Sequence, residues 1–332
     1  MERIAFIIEE TCIYWHSIIL ALAVTSAVCM FLAFWLGRGE SWLSGILTAA
    51  VSGVSSLVLA RLCHWYFQSA SYSSIAAAMT DYSSGSYALM GVFAGCILTA
   101  CLLRLLQVHN NFSAMLDCMA LAGSLGIAVG RLACLYNDSD RGMVLEGITS
   151  LPVAYVVIDP VTGESVYRLA TFMLQAIYTG ILFLALAALY MISRKKNRPM
   201  RDGDTALLFL AFHGAAQVLA DSTRYDSLFM RSNGFVGMVQ ILGAVALVTA
   251  VVFFSVYMVK RMKWKRWFPA LWIGIAGLLG GAGYMEYYVQ RHGNEAAFAY
   301  SVMGGCLLAI LTITVVIWRL SLDRQEKSVV SG

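Results

Sequence analysis

Runs of about 20 apolar residues recur along the whole chain, and that is the length an α-helix needs to cross the hydrocarbon of a bilayer. Nine such runs lie at approximately 13–36, 43–67, 86–108, 113–132, 168–193, 204–224, 234–259, 267–289 and 297–318. Little sequence is left between them for a water-soluble domain. Of the 332 residues, 60% are apolar and 13% charged, where soluble proteins carry about a quarter charged residues. The chain is therefore expected to be an all-α polytopic membrane protein with about nine transmembrane helices. A soluble enzyme and a typical receptor ectodomain are excluded, and no sequence repeat relates the spans.

The net charge is +4, but in a chain of this kind basic residues mainly record which ends face the cytoplasm, so no nucleic-acid partner is expected. With the amino terminus outside, the loops at 37–42, 109–112, 194–203 and 260–266 and the tail from 319 lie inside. That side then holds Arg38, Arg104, Arg194, Lys195, Lys196, Arg198, Arg201, Lys260, Arg261, Lys263, Lys265, Arg266, Arg319, Arg324 and Lys327, which is 15 of the 23 basic residues. The other side holds 7, namely Arg3, Arg131, Arg141, Arg168, Arg224, Arg231 and Arg291, and Arg61 lies within a span. The bias predicts the amino terminus outside and the carboxyl terminus in the cytoplasm. MERIAFIIEETCIYW lacks a basic start and a small-residue cleavage site, so no removable signal peptide is expected.

The longest interruption, 133–167, faces out on this topology. Its β-branched run Val153 to Ile158, then Asp-Pro-Val-Thr-Gly, then Ser165 to Tyr167, predicts a small extracytoplasmic β-hairpin cap. The eight cysteines include no C-x-x-C and no His/Cys cluster at ligand spacing, so neither a metal nor a cofactor is expected. The tryptophans flank spans as an interfacial belt, and KRMKWKRW (260–267) reads as a cytoplasmic stop.

Polar residues inside a bilayer need a partner, a wet cavity or a function. Here they gather at one depth: His16 near the outer start of the first span, Arg61 and His64 near the outer end of the second, Arg131 at the outer end of the fourth. Gln240 lies about two turns into the seventh. In the sixth span, His213, Gln217, Asp221 and Arg224 follow at i, i+4, i+8 and i+11, which at 100° per residue fall within about 80° of arc. A structural Asp221–Arg224 pair accounts for part of this stripe. Three arginines against one carboxylate nevertheless suit an anion at the outer leaflet, because the planar guanidinium stays charged and binds phosphate oxygens bidentately.

From Ile13 to about Val259 the chain resembles the bacterial prolipoprotein diacylglyceryl transferases. GIAVGRLACLYNDSDRG is similar to the family signature G-R-x-G-N-F-x-N-G-E-x-x-G, with Gly130, Arg131, Asn137 and Gly142 at matching positions. ARLCHW around Arg61 resembles the family's second-span arginine segment, and MGVFAG (Met90 to Gly95) its H-G-G-x-x-G stretch. HGAAQVLADSTRYD is similar to Y-G-x-x-R-x-x-x-E-x-x-R, and MVQIL around Gln240 to M-G-Q-I-L. Differences are specific: the family's functional histidine is Met90 here, its signature asparagine Cys134 and its glutamate Ser139. In the sixth span its first arginine is Gln217 and its glutamate Asp221. The family typically has seven spans, and this chain has two more, which divides it into a transferase-like core at 1–262 and an appended pair with its tail at 263–332.

The resemblance implies transfer of diacylglycerol from phosphatidylglycerol to the lipobox cysteine of a preprolipoprotein, in the plasma membrane of a bacterium and without a cofactor. Such chemistry needs a base for a thiol whose free pKa is near 8.5 and fixed cations for the departing phosphate. His16, Arg131, Asp221 and Arg224 are the candidate catalytic residues. Arg61, Asn137, Gly142, Gln217 and Gln240 are the candidate contacts to phosphatidylglycerol or another anionic phospholipid. Because Arg131 and Arg224 would repel each other, the expectation is that Asp221 neutralises one and a lipid phosphate the other. The anion-binding positions are better kept than the proton-handling ones, so a non-catalytic phospholipid- or partner-binding protein on the same fold stands as the alternative. A small-solute transporter fits less well, since no inverted repeat is present.

Overall fold

The computed structural model describes residues 4–8, 11–80, 87–109, 111–137, 139–158, 163–195, 200–224, 227–230, 233–291 and 295–322. The expected hairpin turn at 159–162, residues 196–199 of the basic loop, the tail beyond 322, and Arg3 and Arg231 lie outside the described residues. The chain is an all-α bundle with small strand pairs. Its helices are α1 (Trp15–Gly37), α2 (Trp42–Phe67), a short α3 (Ile75–Thr80), α4 (Leu89–Leu105), α5 (Phe112–Arg131), α6 (Thr171–Lys195), α7 (Asp204–Ser222), α8 (Met238–Met262), α9 (Phe268–Arg291) and α10 (Ala296–Ser321). Among the described residues eight helices are long and apolar enough to cross a membrane, and α4, with 17 residues, is a shorter apolar helix beside them.

Hydrophobicity is turned outward as in a lipid-soluble protein: Leu22, Val54, Ile181, Leu184, Ile273 and Leu308 are all more than half exposed. With lipid outside, helix association depends on close packing rather than on escape from water. At Gly91 an added Cβ would lie 2.5 Å from Ala60 Cα, and at Gly95 2.5 Å from Ser56 Cα, so these glycines let α4 seat directly on the α2 backbone. Inside, Phe209 and Ala211 of α7, Leu247 and Phe254 of α8, and Met303 and Ile310 of α10 are buried in one core, with Ile275 bringing in α9.

Among the described residues three antiparallel strand pairs decorate the bundle: β1–β2 (Ile4–Ile8 with Thr11–Tyr14), β3–β4 (Ala154–Ile158 with Ser165–Leu169) and β5–β6 (Phe229–Met230 with Asn233–Gly237). The second is the predicted cap hairpin, paired from Ala154↔Leu169 to Ile158↔Ser165. The third moves the start of the expected 234–259 span to Met238, because Asn233–Gly237 is used as a strand. Gln240 then caps α8 by accepting the Gly237 N–H at 2.8 Å.

At the bundle end away from β3–β4, the loops converge. Asp202 accepts from Arg38 Nη2 and from Asn111 Nδ2, both at 2.6 Å. Burial opposes both charges of the Asp202–Arg38 pair, yet the pairing holds the Asp202 carboxyl below its ordinary range and raises Arg38. Asp117, buried in α5, accepts from the backbone N–H groups of Gly203 and Ala206 at 2.8 Å each, which satisfies two donors at the start of α7. This anchoring holds the start of α7, and α7 carries the polar stripe toward the hairpin end.

Candidate functional site

The helix α5 ends at Arg131 and continues into a 3-10 turn, Leu132–Tyr136. Arg141, fully buried, closes this turn by donating to the carbonyls of Cys134 at 2.7 Å and Asn137 at 2.6 Å. Its guanidinium lies 4.2 Å from the Tyr155 ring and 4.4 Å from that of Phe172, which ties the turn to β3 and α6. The chain is thereby bent back over the end of α5, and Asp140, only 5% exposed, is delivered beside Arg131.

Asp140 accepts a hydrogen bond from Arg131 Nη1 through Oδ2, and its Oδ1 lies 2.7 Å from Arg224 Nη1. Arg224 in turn lies 3.6 Å from Asp221, one turn back on α7. Burial alone would raise the Asp140 carboxyl, but the guanidinium groups of Arg131 and Arg224 hold it down at about 2. A carboxylate this acidic is a poor proton acceptor near neutrality and a good clamp for two cations. The sequence expectation gave Arg224 and Arg131 one protein carboxylate, Asp221; the structure adds a second, Asp140, which lies between the two arginines.

Two apolar cavities meet at this clamp. The larger, of about 820 Å³, lies between α4, α7 and α8, and the smaller, of about 440 Å³, between α1, α4 and α5. Arg131, Asn137, Ser139, Asp140 and Tyr87 line both. The arrangement is a polar wall between two lipid-facing hollows, with charged donors at one end of otherwise hydrocarbon-lined space.

The candidate residues separate by position. Gln217 and Arg224 line the larger cavity and His16 the smaller. Asp221 stands behind Arg224 as its ion-pair partner. Gly142 contacts neither cavity; it forms a backbone bridge with Arg224, and a Cβ there would meet Thr171 Oγ1 at 2.6 Å and Leu169 Cβ at 2.8 Å. In this position it seats Arg224. Both ends of the Gln240 amide are directed to backbone, Gly237 N–H and Val218 C=O. Arg61 is 2% exposed and lies over the Tyr87 ring at 4.9 Å, so it backs the cavity wall instead of lining it.

Sequence reasoning missed Asp140 as a site residue. Its signal was present, since it is a carboxylate one position after Ser139, where the signature has glutamate. It also left His213 out of the candidate roles. That imidazole is 4% exposed, stacks on Phe209 with ring centroids 5.1 Å apart and lines the larger cavity. Neither of its ring nitrogens has a hydrogen-bond partner among the described residues. Cys134 is buried in the 3-10 turn, with its thiol 3.4 Å from Asp140 Oδ2.

The fold and site define a multi-pass membrane bundle in which a buried arginine–aspartate clamp opens on two largely apolar cavities. The profile of the prolipoprotein diacylglyceryl transferases matches residues 3–257. The chain is similar to a phosphatidylglycerol–prolipoprotein diacylglyceryl transferase of Dehalococcoides mccartyi, 27% identical over 270 residues that cover 79% of this chain and 96% of the relative. Its similarity to the enzyme of that name from Enterococcus faecalis is 25% over 262 residues, covering 76% and 89%. The chain belongs to the prolipoprotein diacylglyceryl transferase family.

Proposed function

We propose that this protein transfers diacylglycerol from phosphatidylglycerol to the thiol of a lipobox cysteine in a preprolipoprotein, with the hairpin end of the bundle facing outward in a bacterial cytoplasmic membrane. The observation that carries this reading is the Asp140-bridged Arg131–Arg224 pair on the wall shared by two apolar cavities. Family membership supports the substrate pair, and the 15-to-7 division of basic residues supports the orientation. The transferase-like unit is 1–262, with 263–332 appended to it.

The chemistry is a displacement at carbon. A thiol proton passes to a base, the thiolate attacks the glycerol carbon that carries the phosphate, a C–S bond forms and the C–O bond breaks. Glycerol phosphate leaves with the electron pair. Arg131 and Arg224 stabilise the charge that builds on the phosphate, and their worth is greatest because the surroundings exclude water. Asp140 holds both guanidinium groups at one place before substrate arrives, so little reorganisation is needed at reaction. Asn137 and Gln217 are neutral contacts to the headgroup. His16, on the smaller cavity, is the base, since Asp140 is too acidic and imidazole titrates near neutrality.

Turnover tests the reading. Purified protein in bilayers, given phosphatidylglycerol and a lipobox peptide, should yield thioether-modified peptide and free glycerol phosphate. A peptide left unmodified under conditions where the Enterococcus faecalis relative modifies it would favour the non-catalytic alternative, to which Met90, Ser139 and Gln217 at family functional positions point.

A further inference from the structure

Helices α9 and α10 lie beyond the residues that match the family, 3–257. Apolar helices can pack through small residues alone, so a buried carboxylate in α9 requires a function. Glu286 is 8% exposed. One of its oxygens accepts from the Ser222 hydroxyl and the other from Gln290 Nε2 at 3.1 Å. From α10, the Tyr300 hydroxyl donates to the Ser222 backbone carbonyl at 3.1 Å. Side chains from both appended helices thus converge on one residue.

That residue is the last of α7. The final carbonyls of a helix lack intrahelical donors, and what satisfies them decides how the chain leaves the helix. Here the Thr223 hydroxyl donates to Ala220 C=O at 2.8 Å, Ser227 to Asp221 C=O at 2.9 Å, and Tyr300 to Ser222 C=O. Ser222 sits next to Asp221 and two residues before Arg224, so its position sets where the Arg224 guanidinium meets Asp140. Neither Glu286 nor Tyr300 lines the two cavities.

We propose that Glu286 and Tyr300 are positioning residues which, through Ser222, hold Arg224 at Asp140, so that phosphate recognition in this chain depends on a helix pair the family match does not include. The proposal rests on the reading of Arg224 as a phosphate ligand.

The test measures phosphatidylglycerol affinity of the full-length protein in nanodiscs, with thermal unfolding recorded alongside. Glu286→Ala and Tyr300→Phe should each weaken binding about five- to tenfold, as expected for loss of one buried hydrogen bond. Glu286→Gln, which keeps an acceptor for the Ser222 hydroxyl, should recover most of the affinity. In a Ser222→Ala background, Glu286→Ala should add little. Affinity within about twofold of wild type in both single variants, while Arg224→Ala loses binding, would overturn the proposal, as would an undiminished Glu286→Ala effect without Ser222. Tyr300→Phe removes one oxygen and serves where Glu286→Ala fails to fold. If Arg224→Ala itself binds like wild type, the phosphate reading is at fault and the positioning role falls with it.

Discussion

Arg224 Nη1 lies 2.7 Å from Oδ1 of Asp140, which joins the end of α7 to the loop that follows α5. Because Asp140 also holds Arg131, removing its charge leaves two guanidinium groups facing each other in a buried place. The Asp140 carboxyl titrates at about 2 in the folded chain against an ordinary 3.8, and the difference corresponds to about 2 kcal/mol of stability at neutral pH. A depressed carboxyl contributes fully above its unfolded value and loses that contribution as pH falls through its folded value. Wild-type thermal stability should therefore drop as pH falls from about 4 toward 2. Asp140→Asn should be less stable at pH 7 and lack this part of the acid drop. An Asn variant with the wild-type acid profile would contradict the clamp.

Gly142 gives a second prediction. A methyl group there meets Thr171 and Leu169 well inside contact distance, so Gly142→Ala should cost about 1–3 kcal/mol through overpacking and weaken lipid binding by moving Arg224. Unfolding and affinity measurements check both. A variant unchanged in the two would mean that the Gly142–Arg224 bridge does not set the site.

The spans were legible because length and apolarity alone decide what can cross a bilayer, and β3–β4 because its β-branched run is broken by Asp-Pro-Val-Thr-Gly. The β5–β6 pair was not, since Phe235 and Val236 run on into the apolar helix that follows and only pairing with Phe229–Met230 makes the stretch a strand. Arg131 and Arg224 could be read as one site from their depth. Asp140 could not, because its approach depends on the 3-10 turn and on Arg141 packed between Tyr155 and Phe172, which are tertiary contacts. Gln240 looked like a headgroup donor for the same reason in reverse: its amide is consumed by a helix start that the sequence placed elsewhere.

The proton acceptor is open to direct test. His16→Phe should spare phosphatidylglycerol binding and abolish transfer, measured as glycerol phosphate released on addition of lipobox peptide. Transfer that survives in His16→Phe and disappears in His213→Phe would move the base to the larger cavity.

The proposed orientation rests on the charge bias. In a background with the native cysteines replaced, Ile158→Cys on β3 should react with an impermeant thiol reagent on intact cells, and Trp264→Cys only after the membrane is opened. Both positions are well exposed, at 69% and 67%. Labelling of Trp264→Cys from outside would invert the bundle.

Whether the Asp140-bridged arginines bind the phosphate of an anionic phospholipid is tested by the phosphatidylglycerol affinity of purified wild type, Arg131→Ala and Arg224→Ala. Each substitution should weaken binding about tenfold or more, the scale of a lost charge-assisted hydrogen bond, while affinity for diacylglycerol, which has no phosphate, stays unchanged. Wild-type phosphatidylglycerol affinity in both variants would contradict phosphate binding by these arginines.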